Sequence, residues 1–377
     1  MGAIKGYSIL LVCDFSNGLL SRVVDVYRFF EKPPSILLAR RGGTFGGNPG
    51  LSLESQTIPI PLKGWEGGRL ELGLLFSTAA YFLYAILIRL RVRVRQTISL
   101  VHAHYIFPQG LFGLLLATLL GVPLVVTATG QDVNLMMRKS ILLRGMCRWV
   151  LKCADVTLAV SKPLQRRLSN CGIKDAVYLP NSVDTESIPK VEGSANKERI
   201  LFVGNLTENK RPLVLIKAFE DVIKLVPGAT LIMCGDGPLR TMVQEEVEKS
   251  GLSGKVRTLL NVRPEVLNTL RSRTGIFVLP SIAEGLSMAL LESMAAGQAV
   301  IASRNESHLS ILEHGKNCLL FDPDDSDQLA AEIVLVMSDD RLRLEIGQAA
   351  KQLCEAQFSN RVVAQELENI YLRTISR

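Results

Sequence analysis

Two carboxylates, Glu284 and Glu292, stand with seven residues between them in the stretch PSIAEGLSMALLESMAAG at 280–297. The apolar run at 276–279 reads as a buried strand closed by Pro280. Ser287 is placed to cap a helix that begins at Met288, and Gly297 to end it. On that helix the i±3 and i±4 neighbours of Glu292 are Met288, Ala289, Ala295 and Ala296, none of them Lys or Arg. An acid on so apolar a face is not ordinary solvated surface. Small residues let a ligand approach, and the N–H groups of a helix start can meet a phosphate. The plain alternative is a capped helix with one stray Glu.

A second constellation precedes it. A short buried strand over 200–203 runs into Gly204-Asn205-Leu206-Thr207-Glu208-Asn209-Lys210-Arg211-Pro212. Gly204 allows close backbone approach and Lys210 brings a mobile positive charge, so a diphosphate cradle is expected there; a surface Lys in a turn is the bland reading. Gly235-Asp236-Gly237-Pro238 closes a strand over 230–234, but with Arg240 in the third Gly position it is a weak dinucleotide signal. Asp322-Pro323-Asp324 has the form of a D-x-D metal motif, yet it lies just before a helix expected to start near Asp327, where acids ordinarily cap. His102 and His104 alternate on one strand and share a face, without further ligands at metal spacing. No metal site and no cofactor are expected.

The E-x7-E pair set in EGLSMALLESMAAG resembles the signature of retaining nucleotide-sugar glycosyltransferases of family four, which have the two-domain GT-B fold. HAHYIFPQG followed by VVTATGQD, LPNSVD, the Gly204–Lys210 loop and GDGP are similar to that family's pattern in the same order. The resemblance covers nearly the whole chain; it is strongest over 200–297 and weakest in the first 70 residues. It implies donor contacts from Gly204, Asn205, Lys210, Arg211, Gly235, Glu284, Gly285, Leu286, Ser287, Met288 and Glu292, with Glu284 and Lys210 catalytic. Gly18, His104, Thr129 and Asp132 are implied on the acceptor side. Four departures stand out. The chain has Gly18 alone where the family carries Gly-Gly, and Thr129 where many members have His. It has Asn205 in place of an Arg, with Arg211 as a substitute charge, and SRNESHL at 303–309 in place of a Gly-Gly loop. Thr129 offers a hydroxyl but neither titrates near neutrality nor carries a positive charge.

These residues need strand ends to hold them. Short apolar runs alternate with helical stretches twice over, which predicts an α/β chain of two Rossmann-like, doubly wound parallel-sheet domains facing a cleft. The strands are expected over 7–12, 35–39, 99–104, 123–127 and 155–160, then 200–203, 230–234, 255–259, 276–279 and 299–302. A helix is expected over 111–120. The first domain is placed at 1–187, a linker at 184–198, the second domain at 193–358, and a helix from Phe358 that returns over 359–377 to the first domain.

With 377 residues the chain has length for two cores. Its seven cysteines are scattered, odd in number and form no C-x-x-C, which predicts a reduced, intracellular compartment; MGAIKGYSILLVCDF reads as a first strand rather than a leader. Residues 1–190 hold 22 Lys and Arg against 11 Asp and Glu, a net of +11 in a chain of net +7. That asymmetry predicts an anionic partner, and no nucleic-acid motif accompanies it. The 17 residues of 72–88 carry no charge and run into Arg89, Arg91, Arg93 and Arg95. As a helix they span about 26 Å, short of a hydrocarbon core of about 30 Å, so a helix resting on an anionic membrane surface is preferred to a crossing, with an internal helix ended by solvated arginines as the plain alternative.

The expected function is transfer of a sugar from a nucleotide-diphosphate sugar to an acceptor glycan or lipid-linked acceptor. The expected location is the cytoplasm, at the cytoplasmic face of the membrane. A nucleotide-sugar epimerase of the same fold and a non-catalytic sugar-binding protein are the alternatives.

Overall fold

A computed structural model describes residues 8–13, 26–31, 35–41, 57–60, 98–130, 133, 141–193 and 195–377. The chain divides into two compact units, one of Met1–Pro180 with Arg361–Arg377, the other Asn181–Asn360.

In the first unit seven strands form one parallel sheet. They are β1 (Ser8–Cys13), β2 (Ser35–Arg41), β3 (Thr57–Ile60), β4 (Leu100–His104), β5 (Leu124–Ala128), β6 (Val156–Ala159) and β7 (Val177–Tyr178), in the order β3-β2-β1-β4-β5-β6-β7. The direction of winding reverses between β1 and β4, whose register pairs Ile9 with Leu100 and Val12 with Ala103. The near-continuous burial of Ile9–Val12 in β1 and of β4 and β5, interrupted in polarity only by His102, His104 and Thr127, is what a strand needs when both faces of a parallel sheet are covered. Helix α1 (Leu111–Leu120) occupies the expected residues and ends on Gly121 in the left-handed conformation (φ 68°). Helices α2 (Ile141–Cys153) and α3 (Lys162–Asn170) follow, the latter capped by the Ser161 hydroxyl, which accepts from the Leu164 N–H at 3.4 Å.

The second unit holds β8 (Asn196–Val203), β9 (Thr230–Cys234), β10 (Val256–Leu259), β11 (Thr274–Leu279), β12 (Ala299–Ser303) and β13 (Leu319–Phe321), again all parallel, in the order β10-β9-β8-β11-β12-β13. Its reversal lies between β8 and β11. Helices α4 (Pro212–Leu225), α5 (Arg240–Lys249), α6 (Pro264–Ser272), α7 (Met288–Ala296), α8 (Glu306–Leu309), α9 (Ser326–Ser338) and α10 (Asp340–Phe358) connect and cover the strands. Phe202, Phe219, Ile276, Val278, Ile301 and Phe321 lie in one core with Leu329 and Ile333 of α9.

Three local expectations need correction. β8 starts at Asn196, inside the stretch expected as linker, because exposed Asn196 and Lys197 and half-buried Glu198 extend the strand. Phe358 closes α10 instead of opening the last helix; Ser359 turns extended (φ −65°, ψ 148°) and α11 (Asn360–Ile375) begins after it. The loop 303–309 contains the one-turn helix α8. Helix α11 belongs to the first unit, where Val363, Leu367, Ile370 and Tyr371 pack with Ile9, Leu11 and Leu158.

Among the described residues no helix is long and apolar enough to cross a membrane. The uncharged stretch 72–88 and the four arginines after it lie outside those residues, as do Gly18 and Asp132.

Candidate active site

The carboxyl ends of β8 and β11 adjoin at the reversal point of the second sheet, where an open α/β sheet leaves a crevice for ligands. Gly204 follows β8, and its N–H donates to the Cys234 carbonyl at 3.0 Å. A Cβ on Gly235 would stand 1.9 Å from the Gly204 carbonyl oxygen, so the two strand ends touch only because position 235 is glycine. A Cβ on Gly204 would lie 3.6 Å from Cδ and Cε of Lys210, so the lysine stem runs alongside that glycine. Lys210 then donates through Nζ to Oε1 of Glu284, with 18% and 12% of the two side chains exposed. The residues singled out in two distant loops therefore form one ion pair at the sheet edge.

Asn209 locks these loops together. Its carbonyl accepts from the Ile282 N–H at 2.9 Å, its side-chain amide donates to the Ala283 carbonyl at 2.8 Å, and its side-chain oxygen accepts from the Ala283 N–H at 3.2 Å. The chain then continues through Gly285 and Leu286 into α7. Asn181 donates to the Leu286 carbonyl at 2.9 Å, and the Ser287 hydroxyl caps α7 by accepting from the Leu290 N–H at 3.4 Å. The start at Met288 and the stop at left-handed Gly297 (φ 81°) fall where the sequence put them. This presents the first N–H groups of α7 beside Glu284.

Glu292 is buried on α7, 6% exposed, and its Oε2 accepts from the Arg271 guanidinium, which is 2% exposed on α6. Arg271 also donates to Asn268 at 3.0 Å. Burial pushes the Cys234 thiol up to about 11, opposed by the nearby Arg271 charge. No sequence signal near Glu292 announces Arg271, because the two meet only through the packing of α6 on α7.

Arg211 takes the left-handed conformation (φ 48°) and faces carboxylates, Asp324 at 3.0 Å and Glu208 at 3.6 Å. Asp322 pairs with Arg304 at 3.4 Å, and Asp325 caps α9 through the Asp327 and Gln328 N–H groups. Helix α9 thus starts at Ser326, one residue before the expected position. Among the described residues no group of three or more His, Cys, Asp or Glu is placed to hold a metal ion.

The loop after β12 is the part of the site that sequence reasoning missed. Asn305 caps α8 by accepting from the His308 N–H at 2.9 Å and donates to the Ser281 carbonyl at 2.8 Å, which also accepts from the Ser303 hydroxyl at 2.5 Å. The Ser307 hydroxyl donates to the Glu284 carbonyl at 2.5 Å. His308, 1% exposed, sits behind the ion pair. Burial lowers its pKa and Lys210 adds to that effect, while the Ser303 carbonyl and Glu284 oppose it. The signal was the Asn305 cap, three residues before His308.

In the first unit the reversal point carries His104 and Tyr105, the latter at φ 83°, an uncommon conformation for a bulky residue. His102 and His104 do share a face, with ring centroids 4.2 Å apart. His102 is buried between the Tyr371 hydroxyl (2.5 Å from Nδ1) and the Thr127 hydroxyl (2.7 Å from Nε2), and Tyr371 meets Tyr27 at 2.9 Å. Burial, and then the neighbouring His104, hold His102 well below its usual pKa; burial lowers His104 to about 4. Thr129 stands one residue beyond β5, partly buried.

Comparison with known proteins places these geometries in a family. Residues 183–353 match the profile "Glycosyl transferases group 1" and residues 48–187 match "Glycosyltransferase Family 4". An uncharacterized glycosyltransferase of Methanocaldococcus jannaschii is 30% identical over 280 residues, 74% of this chain and 76% of the relative. The UDP-Gal:alpha-D-GlcNAc-diphosphoundecaprenol alpha-1,3-galactosyltransferase of Escherichia coli is 27% identical over 272 residues, 66% of this chain and 69% of its own. Among solved structures, sucrose-phosphate synthase from Thermosynechococcus elongatus has a TM-score of 0.78 at 16% identity, covering 99% of this chain and 100% of that one. Anabaena HepE in complex with UDP has a TM-score of 0.76 at 18% identity, covering 97% and 100%. Two parallel-sheet Rossmann-like units, matched in order by two glycosyltransferase profiles, make this chain a member of the GT-B glycosyltransferases, enzymes that transfer a sugar from a nucleotide-sugar donor to an acceptor.

Proposed function

We propose that this enzyme is a retaining hexosyltransferase whose donor binds at the carboxyl edge of β8 and β11. The observation that carries the reading is the Lys210–Glu284 pair beside the capped start of α7. Lys210 Nζ, the Gly204 backbone and the first N–H groups of α7 receive the donor diphosphate, where positive charge stabilises the leaving group. Glu292, oriented by Arg271, accepts from the ribose hydroxyls. Glu284 faces the donor sugar, orienting its hydroxyls and stabilising the positive charge that develops on the ring. The bond from the anomeric carbon to the phosphate oxygen breaks with its electron pair leaving on the diphosphate. The acceptor oxygen attacks from the same face, its proton passes to that diphosphate, and no covalent enzyme intermediate forms.

His104 and Thr129, at the edge of the first sheet, serve the acceptor, with Gly18 and Asp132 as further contacts. UDP-sugars are the first donors to test, since the Escherichia coli relative is named for UDP-Gal and a diphosphoundecaprenol acceptor. A lipid-linked acceptor at the cytoplasmic face of a membrane fits the basic first half of the chain.

The test is a panel of nucleotide sugars scored for nucleotide release, with and without lipid-phosphate acceptors, followed by NMR of the product anomer. An axial donor giving an axial product supports the reading; inversion overturns it, and accumulation of free epimerised donor points to an epimerase. Since Lys210 and α7 neutralise the diphosphate, EDTA leaves turnover unchanged. Loss in EDTA that Mg²⁺ restores contradicts that part.

A further inference from the structure

Helix α2 is apolar on two faces. Leu143, Cys147, Val150 and Leu151 are buried against the first unit. On the opposite side Ile141 is 86% exposed, Leu142 53% and Trp149 51%. At about 100° per residue these three and Gly145 fall within one strip about 100° wide. A Cβ on Gly145 would meet nothing within 4 Å, so the strip is open along its middle. Three large apolar side chains on one solvent-facing strip are not the scattered single exposures that every surface shows.

The charges around the strip have one sign. Arg144 and Arg148 stand along one flank and Lys152 lies on the strip's last turn; all three are exposed. The Arg148 guanidinium also donates to the Cys171 carbonyl at 3.0 Å. From Val133 to Ala154 the chain has five basic residues, Arg138, Lys139, Arg144, Arg148 and Lys152, and no acidic one.

We propose that the outward face of α2 docks the enzyme on an anionic lipid bilayer, with Ile141, Leu142 and Trp149 entering the interface and Arg144, Arg148 and Lys152 meeting lipid phosphates. A helix face that carries its apolar residues in one strip with cations alongside suits a soft planar surface. Tryptophan places an apolar body and a polar N–H where the headgroup region needs both, and long cationic side chains reach outward from an immersed stem. A second copy is disfavoured because it brings a like-charged face. With 13 residues α2 is about 20 Å long, so it lies on a bilayer and does not cross it. Helix α2 shares no residue with the donor loops or with the stretch 72–95, so failure of this proposal leaves the transferase reading intact.

Sedimentation of the full chain with phosphatidylcholine vesicles, with and without about 30% phosphatidylglycerol, tests this over a salt series. Trp65→Phe leaves Trp149 as the sole tryptophan, excited selectively at about 295 nm. The expected result is binding to the anionic vesicles alone, falling at least about tenfold between low and high salt, with a blue shift of Trp149 emission. Ile141→Gln with Leu142→Gln should weaken binding about tenfold or more, and Arg144→Gln with Lys152→Gln by a similar factor. These positions are exposed, and UDP affinity with the thermal midpoint shows that the variants are folded. Unshifted Trp149 emission, absence of anionic binding at low salt, or binding unchanged in the α2 variants overturns the proposal. The last result would assign the contact to another stretch. A concentration-dependent dimer abolished by Ile141→Gln would give the face to a second copy and equally overturn it.

Discussion

Glu284 and Glu292 are the same side chain in two environments, and their substitutions should separate. Glu284 and Lys210 both keep some solvent, so Glu284→Gln should cost less stability than breaking a fully enclosed pair, about 1–2 kcal/mol. Its turnover should fall at least about tenfold while donor-nucleotide affinity changes little, if the carboxylate works on the reacting sugar as proposed. Turnover equal to the unmodified enzyme removes Glu284 from the mechanism. Arg271 and Glu292 are almost wholly enclosed. Arg271→Met leaves a buried carboxylate without its charge partner, and urea unfolding should show a loss of about 3–5 kcal/mol. Adding Glu292→Leu should recover much of that loss. A single Arg271→Met with a loss below about 1 kcal/mol would mean that water already solvates the pair.

At the scale of elements, the site depends on loops that fasten one strand end to another. Gly235→Ala sets a Cβ against the Gly204 carbonyl, and one of the two loops must move; a loss above about 2 kcal/mol with weakened donor-nucleotide binding is expected. Helix α8 acts more gently. Ser307→Ala removes the hydroxyl held on the Glu284 carbonyl, a bond worth about 1 kcal/mol. Turnover should drop several-fold while donor-nucleotide affinity, assigned in the proposed mechanism to Lys210 and α7, stays within about twofold; Ser307→Thr, which keeps the hydroxyl, should restore part of it. Equal losses of turnover and nucleotide affinity in Ser307→Ala would show a general loosening of the loop instead.

For the whole molecule the buried histidines set a response to acid. His102 and His104 stay neutral in the folded first unit, and His308 does so in the second, all with pKa values below the ordinary 6.5. The unfolded chain takes up these protons first. Their contribution is therefore complete above about pH 6.5 and is lost as pH falls, at about 1.4 kcal/mol per pH unit for each histidine. For His104 that window runs from 6.5 down to about 4. Urea unfolding at pH 7 and pH 5 should show the decline, and His104→Asn should reduce its slope; a pH-independent midpoint contradicts the assignment. The histidines lie in two compact units, so the decline is to be read with a probe in each.

What the sequence determined by itself was local. Helix α1 and helix α7 with its Ser287 and Gly297 caps are written in neighbouring residues, since capping and periodicity act within a few positions. The alternation of apolar runs likewise specified two parallel-sheet units, because strands covered on both faces need near-continuous apolar character. Tertiary structure decided the rest. Arg271 reaches Glu292 from another helix, Ser307 reaches Glu284 from the loop after β12, and Arg211 is drawn to Asp324. The single Lys210–Glu284 pair depends on β8 and β11 being neighbours in the sheet although 70 residues separate them in the chain. Side-chain charge and shape are properties of residues, but which charges meet is set by the strand order, and no local pattern encodes that.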